Sequence, residues 1–318
     1  MHSRLVAVAA TAAIALMAPT GALAQDATPM ASPVGESLFA ELGLPELTIT
    51  VTDEGIEIDR SDIEAGRYLV TLNNESAEPE VFAGFVQIPE DRTLEDLSYA
   101  DEVAAGTPIP EEGPAEEDFL WLYETYIAGG PSTVTEAARQ VVVNLPAGSY
   151  GVWDEDPTSP RLAAALTVTG DPGVRVEGPE PEAAVTIIEE GEGGVGFSFR
   201  LDGEFVAGPQ VVKVLNASDQ PHFVEVSQYP EEITVEQVMA TFMFDPSSGA
   251  TPSPDMLDYE RAIFAGWAGT QSPGATQWVI VDVAPGQVLV DCFIPDPLAE
   301  FTPHAFEGML QLFEVAES

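Results

Sequence analysis

The amino-acid sequence predicts a mainly β protein built from two tandem β-sandwich domains with short inserted helices. Three observations carry this expectation. Short apolar segments alternate with polar residues at the period of two that a half-buried strand requires. Gly, Pro and acidic residues punctuate those segments at short intervals. The pattern also occurs twice, in units of roughly 130 residues, and many short strands in a unit of that size make a sandwich or a barrel.

In the first unit, expected over residues 46–170, Leu47 to Thr52 alternates with threonine, Asp53-Glu54-Gly55 supplies a turn, and Ile56 to Asp59 alternates again. That is the signature of a hairpin. Further strands are expected at Arg67–Asn73, Val81–Ile88, Val141–Leu145, Tyr150–Trp153 and Leu162–Val168, with a short helix opening near Thr93 and a Pro- and Glu-rich insert running to about Glu117. Trp121, Tyr123 and Tyr126 suit a packing patch. Gly170-Asp171-Pro172-Gly173 at one end and Pro179-Glu180-Pro181 near the other predict a linker over 171–183. The second unit, 184–318, begins with strands at Ala184–Ile188 and Gly196–Leu201 and has a weak helical stretch around Glu236.

The two units match in detail. Leu72-Asn73, Pro79-Glu80-Val81-Phe82 and Pro89-Glu90 have counterparts in Leu215-Asn216, Pro221-His222-Phe223-Val224 and Pro230-Glu231. Val141-Val142-Val143 then Gly148 answers Trp278-Val279-Ile280-Val281 then Gly286. Asn74-Glu75-Ser76 and Asn216-Ala217-Ser218 stand at matching places and predict one turn used twice. The units differ in chemistry: level with His222 the first has Glu80, and near the place of Cys292 it has Trp153-Asp154.

The chain carries 54 acidic residues against 10 basic ones, a formal net charge of -44, and Lys213 is its single lysine. Such a surface repels phosphate backbones and anionic membranes, which excludes nucleic acid as a partner. It suits either solubility or the steering of a basic redox or protein partner. Met1-His2-Ser3-Arg4, an apolar run to Met17 and the small-residue end Ala22-Leu23-Ala24 form the three parts of a secretory signal peptide, 1–24, cut after Ala24. A secreted or periplasmic protein without stable membrane insertion is expected, with a flexible leader over 25–45. No catalytic constellation stands out: acidic pairs are too numerous to single one out, and neither later histidine has a Gly-x-Ser-x-Gly partner.

Past the signal segment the chain holds two histidines, His222 and His304, and one cysteine, Cys292. A lone cysteine in an exported protein is a buried small apolar residue, a reactive thiol, an intermolecular link or a metal ligand. The stretch from about Val185 to Val315 resembles the cupredoxin, or blue-copper, family. The resemblance rests on Pro221-His222-Phe223 opening a strand and on Pro285-Gly286 leading to a strand that ends at Cys292. It rests further on His304 followed after four residues by Met309 and a last strand, Leu310–Val315. It implies a Greek-key sandwich and a copper ion held by His222, His304 and the Cys292 thiolate, with Met309 as the long axial ligand. It also implies electron transfer or copper handling. A multicopper oxidase would need more imidazoles than the chain has. Eleven residues separate Cys292 from His304, where the family uses a tighter loop, so this segment must bulge out and return. The other outcome left open is a metal-free secreted β-sandwich interaction module.

Overall fold

The computed structural model describes residues 38–97, 116–156, 159, 163–174, 176–244, 251, 253 and 256–317. The signal segment and its cut after Ala24, most of the leader and most of the Pro- and Glu-rich insert lie outside these, as do Pro160, Arg161 and Leu162.

The first half contains β1 (Glu46–Val51), β2 (Ile56–Ile58), β3 (Asp62–Glu64), β4 (Gly66–Asn74), β5 (Ala83–Gln87), β6 (Gln140–Leu145), β7 (Gly148–Asp154) and β8 (Ala164–Thr169). The second contains β9 (Val185–Glu192), β10 (Gly196–Gly203), β11 (Phe205–Val206), β12 (Gly208–Asn216), β13 (His222–Gln228), helix α1 (Val235–Phe242), β14 (Ile263–Gln271), β15 (Thr276–Val283), β16 (Gly286–Asp291), β17 (Pro295–Asp296), β18 (Thr302–Pro303) and β19 (Leu310–Ala316). The protein is mainly β, as the alternation predicts. Leu47, Ile49 and Val51 of β1 face the core while the threonines between them do not. In β6, Val141, Val142 and Val143 are all buried, because this strand is covered on both faces.

The strand orders of the two halves run in step. One face of the first half is β2-β1-β4-β6 and the other β3-β8-β7-β5. In the second half the faces are β10-β9-β12-β15 and β11-β19-β16-β13, with β14 added at the edge. Each half pairs its first strand parallel to the third in order, β1 with β4 and β9 with β12. Apolar side chains from both faces meet in the middle, Val70 and Val143 with Phe85 and Val152, and Val212 and Val281 with Val226 and Val290.

The sequence pattern does not show how closely the halves join. β6 pairs antiparallel with β15, Val142 opposite Trp278, and fuses the two faces into one eight-stranded sheet. The core is correspondingly one apolar cluster running through both halves. Gly130 and Gly269 permit this approach: a Cβ on Gly130 would overlap the Ala83 carbonyl, and one on Gly269 would meet the Gly130 backbone.

The outer face of the shared sheet is covered by segments expected to be loose. Phe39, at the end of the expected flexible leader, is buried with Trp278, Val142 and Ile280. An apolar side chain beside an exposed indole face gains more from burial than it loses in chain entropy. Across the same tryptophan, the Arg67 guanidinium donates to the carbonyls of Gly178 and Pro179 at 2.8 and 2.7 Å, and Glu180 accepts from Arg67 and Lys213. Both cations lie over the Trp278 ring, at 4.6 and 5.1 Å. The segment between the halves is thus fastened to the sheet.

Helix α1 begins at a capping box in which Thr234 and Gln237 exchange hydrogen bonds. It lies outside β16 and β19 and sets Phe242 against Phe293, the residue after Cys292. Among the described residues, no helix is long and apolar enough to cross a membrane.

A shared sheet and core imply shared unfolding. Trp278→Ala is expected to lower stability by about 3–5 kcal/mol. In urea, one transition should move when followed by near-ultraviolet and by backbone dichroism; two separate transitions would contradict a common core.

Candidate metal centre

His222 enters β13 from a turn built on the wholly buried Asn216. The Asn216 Oδ1 accepts from the Ser218 backbone N–H and hydroxyl at 2.9 and 2.8 Å, and its Nδ2 donates to the carbonyls of Gln220 and Gln271. Asn74 makes the same turn in the first half, accepting from the N–H and hydroxyl of Ser76. Cys292 directly follows β16, where Val288, Val290 and then Cys292 point inward. Backbone hydrogen bonds tie the downstream residues to it. Cys292 N–H donates to the Met309 carbonyl at 3.0 Å, Met309 N–H to the His304 carbonyl at 2.9 Å, and His304 N–H to the Ile294 carbonyl at 2.9 Å. The long stretch from Cys292 to His304 returns because β17 and β18 fold it into a small hairpin, Pro295 opposite Pro303.

These elements bring three side chains together. The Cys292 Sγ lies 3.7 Å from His222 Nδ1 and 3.8 Å from His304 Nδ1, and the two imidazole centroids are 4.5 Å apart. The three potential donor atoms lie within 4.8 Å of one another and all three residues are wholly buried. Metal–imidazole and metal–thiolate bonds of about 2.0–2.1 and 2.3 Å, opened at tetrahedral to trigonal angles, give an N···S separation of about 3.6–3.8 Å. The residues therefore fit a bound metal ion. Phe197 closes the pocket, its ring 4.9 Å from that of His222 and 4.2 Å from that of His304. Gly308 lets the turn before Met309 pass beneath it: its φ is +122°, and a Cβ there would overlap the Phe197 carbonyl.

The pocket keeps its donors neutral until a cation arrives. Burial pushes the Cys292 thiol far above its ordinary value. Burial, and then the neighbouring His304, holds His222 well below the usual histidine range. Burial lowers His304 to about 3, against the opposing pull of Asp296. A metal ion would displace the thiol proton and supply the charge that a thiolate needs in such surroundings.

His222, Cys292 and His304 are thus brought together. Met309 is wholly buried, shares the apolar cluster of Cys292 and is bound to both Cys292 and His304 through its backbone. In the first half, Val152 pairs with Phe85 as Val290 pairs with Val226. That register sets Asp154 level with Cys292, and counting back along the partner strand sets Val81, rather than Glu80, level with His222.

Sequence reasoning missed the residues behind the imidazoles. The Ser218 hydroxyl is 2.7 Å from His222 Nε2, and the Gln220 Oε1 is 3.0 Å from His304 Nε2. Both stand just before His222, but only the folded turn shows which ring each reaches. The buried acids were hidden among 54 carboxylates. Glu189 accepts from Gln271 Nε2 at 2.8 Å, and Glu225 lies opposite Asp291 across β13 and β16.

The sequence matches no protein-family profile, and no curated protein matches it. Solved structures give similarities of low identity. Reduced auracyanin from Roseiflexus castenholzii is 18% identical over 42% of this chain and 99% of its own, with a TM-score of 0.26. Auracyanin A, described as a "blue" copper protein, from Chloroflexus aurantiacus is 20% identical over 39% and 99%, at 0.24. A variant of the McoA multicopper oxidase from Aquifex aeolicus is 12% identical over 87% and 68%, at 0.23. Strand order and donor geometry, not these scores, describe the fold and the pocket.

The buried acids and histidines set opposite pH limits on the metal-free protein. Burial raises Glu189 to about 8 and Glu225 to about 7, from an ordinary 4.5, so unfolding releases their protons above the ordinary range. Stability is therefore lost as pH rises from about 4.5 towards 8. The histidines stay neutral when folded and charge below about 6.5 when unfolded, so stability is lost as pH falls from there towards 3. Glu155 and Glu307 are raised to about 7 and Asp291 is raised as well, chiefly by burial, so the acids outnumber the histidines: urea midpoints are expected to peak near pH 4.5, to fall as pH rises from there towards 8, and to fall again on acidification. Midpoints that climb steadily through pH 8 would contradict the burial of these acids.

Proposed function

We propose that the chain is an exported copper protein that carries single electrons through the pocket of its second half. His222 and His304 would serve as imidazole ligands, Cys292 as the thiolate and Met309 as a thioether ligand. The observation that supports this is the meeting of two imidazoles and a thiol, wholly buried, at the spacing a bridging metal imposes. Bound there, copper supplies one-electron redox chemistry.

The chain's own residues do the rest. The backbone bonds among Cys292, His304 and Met309 fix the donors before any ion arrives, so little needs to move when charge changes. Phe197 and the surrounding aliphatic residues exclude water. No ligand reaches solvent, so no coordination position is open to a substrate, which favours electron carriage over catalysis. The acidic surface steers a basic partner, and the first half, with no histidine or cysteine past the signal segment, is a scaffold.

Titration with cupric ion is expected to give an intense visible thiolate-to-copper absorption that saturates at one equivalent. Cys292→Ser should abolish it and His222→Ala should weaken copper binding. Free copper at a thousand times its dissociation constant should raise stability by about 4 kcal/mol. A colourless protein retaining no stoichiometric copper would overturn the proposal in favour of the metal-free interaction module.

A further inference from the structure

The side chains around the long loop between Cys292 and His304 form a directional chain. Asp296, on β17, is wholly buried. Its Oδ1 accepts from Gln220 Nε2 and from the Leu298 backbone N–H, both at 2.7 Å, and its Oδ2 accepts from the Gly194 N–H at 2.5 Å. We propose that Gln220 and Asp296 are positioning residues that fix the tautomer of His304, placing its proton on Nε2 and leaving the Nδ1 lone pair aimed into the pocket. Its use in metal binding rests on the copper reading above.

An ionised carboxylate accepts hydrogen bonds and donates none. Three N–H groups and the Glu307 carboxyl converge on Asp296, so its lone pairs are met by donors. Burial acts to raise its pKa, yet these hydrogen bonds outweigh burial and hold it below the ordinary carboxylate range. Gln220 is itself almost wholly buried and must therefore turn its amide N–H towards Asp296. The other end of the same amide, Oε1, then faces His304 Nε2 at 3.0 Å. An amide oxygen accepts only, so Nε2 must carry the hydrogen. A neutral imidazole has one N–H, so Nδ1, 3.8 Å from the Cys292 sulfur, is left with a lone pair. Flipping the Gln220 amide would set its oxygen against the Asp296 carboxylate at 2.7 Å, acceptor against acceptor.

His222 is directed by its own turn, where the Ser218 hydroxyl donates its one hydrogen to Asn216 Oδ1 and leaves its oxygen to accept from His222 Nε2. The imidazole delivered by the long loop is directed from that loop, which carries the carboxylate. Its length thereby gains a physical use. The segment runs out far enough to seat Asp296 beneath Gly194 and Gln220, turns through Glu300 and Phe301 at φ of 56° and 57°, and returns to His304. The first half contributes as well, since the Tyr123 hydroxyl donates to the Pro295 carbonyl beside Asp296.

The test is the tautomer of His304 in the metal-free, nitrogen-15-labelled full chain, read from two-bond proton–nitrogen correlations, followed by cupric titration. The wild-type chain is expected to show Nε2–H alone. Gln220→Leu, which removes the amide, and the near-isosteric Asp296→Asn, which sets a donor against donors, are expected to give mixed or Nδ1–H tautomers. Copper affinity should fall about 10- to 100-fold. Nδ1–H in the wild-type chain overturns the proposal, whatever the variants do. So does Nε2–H retained in a folded variant with copper affinity within about twofold of wild type. A wild-type chain with Nε2–H, shifted in the variants, that takes up no copper supports the positioning and overturns the copper reading instead.

Discussion

Three groups that can change charge lie wholly inside one apolar sandwich, and this is the constraint on which the rest depends. A thiol and two imidazoles buried together stay neutral or meet a cation, because an uncompensated charge there costs several kcal/mol. The fold satisfies the constraint with rigid elements. β16 delivers Cys292, an asparagine-centred turn delivers His222, and backbone hydrogen bonds hold His304 and Met309 against the cysteine. Phe197 shuts out water that would otherwise solvate the donors.

The first half matters to this pocket although it lacks the donors. Its sheet continues into that of the second half through β6 and β15, and its Tyr123 holds the loop that carries His304. Glu155 crosses the junction as well, accepting from the Thr270 N–H and hydroxyl next to Gln271, the residue paired with His222. The halves are one mechanical unit with the candidate metal pocket on one side.

Much of this was legible in the sequence because it is written in local pattern. The Leu47 to Asp59 hairpin, the strand ending at Cys292 and the helix near Glu236 each follow from periodicity and turn chemistry within a few residues. The matching Asn-x-Ser triplets announced one turn used twice, and the structure shows the same hydrogen bonds at both. What escaped is what depends on tertiary approach. β14 carries glycines that weaken a strand pattern, yet Gly269 is there so that the Gly130 backbone can come close. In sequence Phe39 falls within the expected leader, since nothing local shows that Trp278 needs a cover. Gln220 and Asp296 are ordinary polar residues until folding buries them, and no short-range spacing links them to His304. The long separation between Cys292 and His304 was visible as a departure, but only the hairpin of β17 and β18 shows how it closes.

The proposed centre is a copper ion held by two imidazoles and one thiolate inside the second sandwich. X-ray absorption at the copper edge of the copper-loaded full chain tests it most directly. The expected first shell has two nitrogens and one sulfur at about 2.0–2.3 Å, with the sulfur lost in Cys292→Ser. A first shell of oxygen and nitrogen alone, unchanged by that substitution, would contradict it.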